Sequence, residues 1–215
     1  MRPHIVLAGD SIFDNAAYVD QGHAVIDLLS AKVAGRYDVT LLAVDGSVTN
    51  ELHDQFEQLP PETTHLIISG GGNDALAAAH LLNQPVEHVF GAMTLFTNVI
   101  DQFQSDYRAM LEDALSRVEV VVVCTIYDSI PGYDKETMTA LKLFNEIILR
   151  EAFAHNVSVI DLRLICDEAA DYSSVSPIEP SERGADKIAS MLSAMPGGSE
   201  QRDDRPVIYT LTSGS

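Results

Sequence analysis

The chain has 215 residues, 46% of them hydrophobic, and no apolar run reaches the roughly 18 residues that suggest a membrane span. Its net charge is −19, from 32 acidic and 13 basic residues, a balance that repels phosphate backbones and anionic headgroups and argues against nucleic acid as a partner. Neither Cys124 nor Cys166 has CxxC or metal-ligand spacing, and Cys124 ends the run VEVVVVC as a small buried hydrophobe.

The first strand candidate, HIVLAG (4–9), begins almost at Met1 and runs straight into Gly9-Asp10-Ser11. That leaves no room for a signal peptide, so a cytoplasmic protein is expected. Four further strand candidates follow: VTLLAV (39–44), HLIIS (65–69), VEVVVVCTI (118–126) and VSVIDL (157–162). All are β-branched and nearly continuous, as in strands covered on both faces. Between the third and fourth, apolar residues from Val86 to Ala114 recur mostly three and four apart, which predicts one long helix or two broken near Thr97-Asn98. Asp134 is placed to cap a helix running to about His155, and Ser181 one running to about Met195. Strands alternating with helices predict a parallel five-stranded sheet with helices on both faces, a three-layer α/β/α domain over residues 1–195. The tail, 196–215, reads as loop-like, with VIYTL (207–211) able to add an edge strand or meet a partner chain.

Open parallel sheets bind ligands beyond the carboxyl ends of their strands. Four of these strands end in polar or glycine-rich sequence: Gly9-Asp10-Ser11, Asp45-Gly46-Ser47, Gly70 to Asp74, and Tyr127-Asp128. Ser11, on a strand-to-helix turn, suits a nucleophile or a helix N-cap. Gly46 allows close backbone approach or simply makes a turn. Asn73, after three glycines, adds a neutral amide donor, and no Gly-Lys-Ser/Thr follows to suggest a phosphate cradle.

In this order, GDS with Ser11, a glycine after strand two, GGND with Asn73 and a late Pro-Ser-x-x-Gly block resemble the SGNH/GDSL hydrolase family, over residues 4 to about 194. The resemblance implies a flavodoxin-like fold and hydrolysis of small-molecule esters of lipids, small acyl groups or acetylated sugars, with no cofactor and no metal. It makes Ser11 the nucleophile, with its own N–H, the Gly46 N–H and the Asn73 amide as oxyanion donors. The family's late block carries Asp and His three residues apart; here Ser176 and Glu179 stand at those positions, in SPIEPS. Glu179 is therefore the candidate general base. Of the seven histidines, only His23 lies in the connection after Ser11, and each reads more readily as structural. Asp10 and Asp14 read as turn-fixing residues. Two other readings stay open: a catalytically silent ligand-binding protein, and a metal-dependent phosphohydrolase built on Asp10, Asp45, Asp74 and Asp128.

Overall fold

The computed structural model describes residues 2–19, 22–195 and 206–210. Six strands form one sheet: β1 (His4–Ala8), β2 (Asp38–Leu41), β3 (His65–Ile68), β4 (Val120–Cys124), β5 (Ser158–Ile160) and β6 (Ile208–Tyr209). Their order is β2-β1-β3-β4-β5-β6, and every neighbouring pair is parallel. The expected sheet had five strands. The sixth lies within the VIYTL segment and pairs Ile208 with Val159 and Tyr209 with Ile160 at the β5 edge. The rest of the predicted tail, 196–205 and 211–215, lies outside the described residues.

Alternation along the strands divides the core in two. Ile5 and Leu7 of β1 face one side, with Ile67, Val122, Cys124 and Ile160. Against them pack α1 (Val25–Lys32), through Val25 and Leu29, and α6 (Glu182–Ala194), through Ile188 and Leu192. Val6 and Ala8 face the other side, with Leu66, Ile68, Val121, Val123 and Val159. That layer is covered by α2 (Leu52–Phe56), α3 (Gly72–Ala78), α4 (Val89–Arg117) and α5 (Lys135–Ala154). The inner strands β1, β3, β4 and β5 are buried on both faces, which is why they read as continuous apolar runs, while the edge strands β2 and β6 are partly exposed.

Helix α4 passes unbroken through Thr97-Asn98. The Thr97 hydroxyl donates back to the Met93 carbonyl at 3.1 Å, a bond that lets a β-branched polar residue sit inside a helix. The expected caps are present: Asp134 accepts from the Thr137 N–H at 2.7 Å and Ser181 from the Gly184 N–H at 3.2 Å. Each such cap contributes about 1 kcal/mol. Since β2 and β3 flank β1, the chain reverses its winding direction at β1. The crevice between the carboxyl ends of β1 and β3 is the place where this topology binds ligands.

Candidate active site

Ser11 sits one turn past β1, at that crevice. Gly9 adopts φ +128°, and a Cβ there would lie 1.9 Å from the Ser69 carbonyl oxygen, so the turn requires glycine. Asp10 is buried and holds the turn around Ser11 in shape. Its carboxylate accepts from Ser69 Oγ at 2.8 Å and the Ile12 N–H at 3.2 Å, and its carbonyl accepts from the Phe13 and Asp14 N–H groups, both at 3.1 Å. Thus the three N–H groups after Ser11 are engaged by the turn, and Ser11's own is not among them. Burial pushes the Asp10 carboxyl up, opposed chiefly by the Ser69 hydroxyl. Asp14 reaches across to accept from the Asp45 N–H at 2.9 Å. Asp10 thus fixes the turn, whereas the Asp14 side chain ties it to the loop after β2.

Gly46 occupies a tight turn closed by the Ser47 N–H donating to the Val44 carbonyl at 3.2 Å, and its φ of +84° favours glycine. The Asn73 amide donates to the Ser47 carbonyl at 2.9 Å, tying the loop after β3 to the loop after β2. One N–H of that amide remains for another acceptor. Ser11 and Asn73 line the same pocket.

Glu179 meets this group from the other end of the chain: Ser11 Oγ donates to Glu179 Oε1 at 3.4 Å. Glu179 is 4% exposed, and its Oε2 has no hydrogen-bond partner among the described residues. Burial holds its carboxyl above the usual range. The negative charges of Asp45 and Asp10 push the same way, and the Ser176 and Ser11 hydroxyls oppose them. Its loop is anchored on every side. The Asn15 amide donates to the Pro180 carbonyl at 3.2 Å, while its oxygen accepts from the Val25 N–H at 2.9 Å. The Tyr127 hydroxyl donates to the Ile178 carbonyl, and the Ser173 N–H donates to the Glu179 carbonyl at 2.9 Å. Ser176 holds no ring to orient.

No hydrogen bond among the described residues joins a histidine to Ser11 or Glu179. His23 is exposed and pairs with Glu182 at 3.0 Å, while His4, at the start of β1, contacts Thr40 at 2.8 Å. The acidic residues considered for a metal are committed separately. Asp45 accepts from the Tyr18 hydroxyl at 2.6 Å, and Asp74 accepts from the Thr49 N–H and hydroxyl at 3.1 and 2.9 Å. Among the described residues, no three His, Cys, Asp or Glu side chains come together in a way that could hold a metal ion.

Sequence reasoning missed Gln55 of α2. Its buried side chain accepts from the Gly9 N–H at 2.7 Å and donates to the Gly9 carbonyl at 2.8 Å and to Ser47 Oγ at 3.2 Å. It clamps the residue two before Ser11 to the residue one after Gly46. It also missed the pocket itself, which is open to solvent. Beyond Asp10, Ser11 and Asn73 its walls are mostly apolar, including Leu76, Phe96, Leu141 and Phe144.

No curated protein matches the chain by sequence. Among solved structures, a lipase from a goat rumen metagenome is 19% identical, covering 89% of this chain and 96% of its own at a TM-score of 0.68. A lipase/acylhydrolase from Enterococcus faecalis is 21% identical, covering 90% of this chain and 94% of its own at 0.61. An acetyl xylan esterase is 18% identical, covering 90% of this chain and all of its own at 0.64. At such identities these likenesses establish the fold, a parallel sheet flanked by helices as in SGNH hydrolases. The model of the GDSL-like lipase/acylhydrolase family matches residues 7–187, and the chain belongs to that family.

Proposed function

We propose that this protein hydrolyses carboxylic esters through an acyl intermediate on Ser11, with Glu179 as general base. The observation that carries the reading is the direct approach of Ser11 Oγ to a buried carboxylate, 3.4 Å from Glu179 Oε1. Such contacts are often long without substrate and tighten in the reacting complex. An ordinary carboxylate is a weaker base than imidazole, and the burial that raises Glu179 narrows that gap. A carboxylate also has no tautomer to select, which accounts for Ser176 in place of an aspartate.

In the proposed cycle Glu179 takes the hydroxyl proton as Ser11 Oγ bonds to the ester carbon. The carbonyl oxygen becomes an oxyanion held by the N–H groups of Ser11 and Gly46 and the free N–H of Asn73. Collapse breaks the bond to the alcohol oxygen, which takes the proton from Glu179. Water then attacks the acyl-Ser11, its proton passing to Glu179 and on to the Ser11 oxygen, and the acid leaves. The mostly apolar pocket suits the acyl part of the substrate, since few groups along its walls would satisfy a sugar's hydroxyls.

Hydrolysis of p-nitrophenyl esters from acetyl to octanoyl tests this reading. Ser11→Ala and Glu179→Gln should each lower kcat/KM by about a thousandfold or more. Near-wild-type turnover in either variant, or turnover abolished by EDTA, would sink it. Binding of esters without any turnover would instead make the protein a silent ligand binder.

A further inference from the structure

Glu179 lies in a loop, so neither a helix nor a strand fixes where its carboxylate meets Ser11. At 3.4 Å from Ser11 Oγ, that carboxylate already stands just outside the roughly 2.6–3.2 Å from which a general base takes a proton. A small retreat of the loop would part the two. What holds the loop therefore bears on the rate.

On one side the loop backbone pairs with residues 171–173: the Ser173 N–H donates to the Glu179 carbonyl and the Ser181 N–H to the Asp171 carbonyl, both at 2.9 Å. The Asn15 amide donates to the Pro180 carbonyl, but its oxygen also accepts the first N–H of α1, so replacing Asn15 disturbs two elements. Tyr127, three residues past β4, acts more narrowly. Its hydroxyl donates to the Ile178 carbonyl, directly before Glu179. Its ring is 2% exposed and meets the Tyr172 ring edge to face, with centroids 5.0 Å apart at 87°. Tyr172 is in turn held by its own hydroxyl on the Cys166 carbonyl at 2.8 Å. Tyr127 and Ile178 also line the pocket that holds Ser11, so one side chain joins the pocket wall to the loop of the base. We infer that Tyr127 is a positioning residue for the reaction, its hydroxyl holding Glu179 against Ser11 through the Ile178 carbonyl. The inference rests on the reading of Glu179 as base and names what sets that base in place.

Tyr127→Phe removes the hydroxyl alone. The ring, its packing on Tyr172 and the pocket wall stay, and the bond is only part-buried, so water can replace the lost donor and the variant should fold. Burial pushes the Tyr127 phenol well above its ordinary range, so the substitution takes no charge from the surroundings of Glu179. Asp10, Asp45 and Tyr18, which also act on Glu179, are left as they are.

The experiment measures kcat and KM on p-nitrophenyl esters, and the rate of alkyl fluorophosphonate addition to Ser11, from pH 4 to pH 9. It compares wild type, Tyr127→Phe, Glu179→Gln and the double variant. Tyr127→Phe should lower kcat and the addition rate about ten- to a hundredfold with little change in KM, since misplacing a reacting group by about 1 Å costs on that order. Its acidic limb should move to lower pH, because a loosened loop lets water reach Glu179 and relieves the burial that raises its carboxyl. In the Glu179→Gln background the same substitution should change the addition rate by less than about twofold, because a residue acting through Glu179 has nothing left to position. An unchanged kcat, an unmoved limb, a rise in KM alone or an equal loss in both backgrounds would overturn the inference and leave the role of Glu179 standing. Glu179→Gln as fast as wild type would overturn the base reading, and this inference with it.

Discussion

Gln55 offers a test of how the site is held together, away from the reacting atoms. Replacing it with alanine removes two buried hydrogen bonds and a part-buried one; it strands the Gly9 N–H, while the Gly9 carbonyl keeps a second donor, the Val44 N–H at 3.0 Å. A buried donor left unpaired costs about 1–3 kcal/mol, and each lost bond about 1 kcal/mol. With the stranded donor's own bond counted inside its 1–3 kcal/mol and the other two bonds at about 1 kcal/mol each, the total comes to about 3–5 kcal/mol, or a fall in melting temperature of roughly 6–20 °C for a chain of this size. Gln55→Glu separates hydrogen bonding from packing. One carboxyl oxygen can still accept from the Gly9 N–H, but the other faces the Gly9 carbonyl oxygen and can donate to it only when protonated. The introduced carboxyl therefore has a raised pKa in the fold, so its stability is retained at acid pH and lost as pH rises through that folded value. Thermal melts of both variants from pH 4 to pH 8 measure this. An alanine variant within about 0.5 kcal/mol of wild type, or a glutamate variant with a pH-independent deficit, would refute the clamp.

The same geometry sets three further outcomes. Glu179→Gln should abolish turnover yet raise the melting temperature by a few degrees at pH 8, because it removes a buried charge with no cation beside it. Since the folded-state pKa of Glu179 is raised, that gain should shrink as pH falls and Glu179 takes up its proton; differential scanning calorimetry at pH 8 and pH 4 checks both. Asn73→Ala should lower kcat about a hundred- to a thousandfold with little change in KM on a p-nitrophenyl ester, as expected for loss of one oxyanion donor. Unfolding, or a change in KM alone, would make Asn73 a structural or binding residue.

Much of the fold was legible because its strands are covered on both faces, so Ile5 to Ala8 and Val120 to Cys124 stand out as unbroken apolar runs. The strand at Ile208–Tyr209 was only one of two readings, since a two-residue edge strand carries almost no pattern of its own. Ser11, Gly46 and Asn73 stood out as candidates from their places at strand ends; the topology sets those strands side by side, and Ser11 and Asn73 share the pocket. Glu179 could be found only by its position in the late block, because a glutamate between prolines reads as a surface residue. Its loop is held by Asn15 and Tyr127, far away in the chain, which bond to the Pro180 and Ile178 carbonyls on either side of it. Gln55 left no signal at all: a lone glutamine on a five-residue helix is indistinguishable from a solvated one until Gly9 is seen beside it. The pocket was equally hidden, since its walls come from α3, α4, α5, the loops between them, the turn after β1 and Ile178.

The central claim is that Glu179 activates Ser11, and the most direct measurement is the rate at which an alkyl fluorophosphonate adds to the folded protein across pH, paired with peptide mass spectrometry. The account expects a single adduct, on Ser11. Its rate should fall with decreasing pH through one acidic limb above the ordinary glutamate range, because only the ionised carboxylate can take the hydroxyl proton and burial raises Glu179. Glu179→Gln should slow the addition by about a hundredfold or more and lose the limb. An adduct on another serine, no adduct on folded protein treated to completion, or an unchanged rate and pH profile in Glu179→Gln would contradict it.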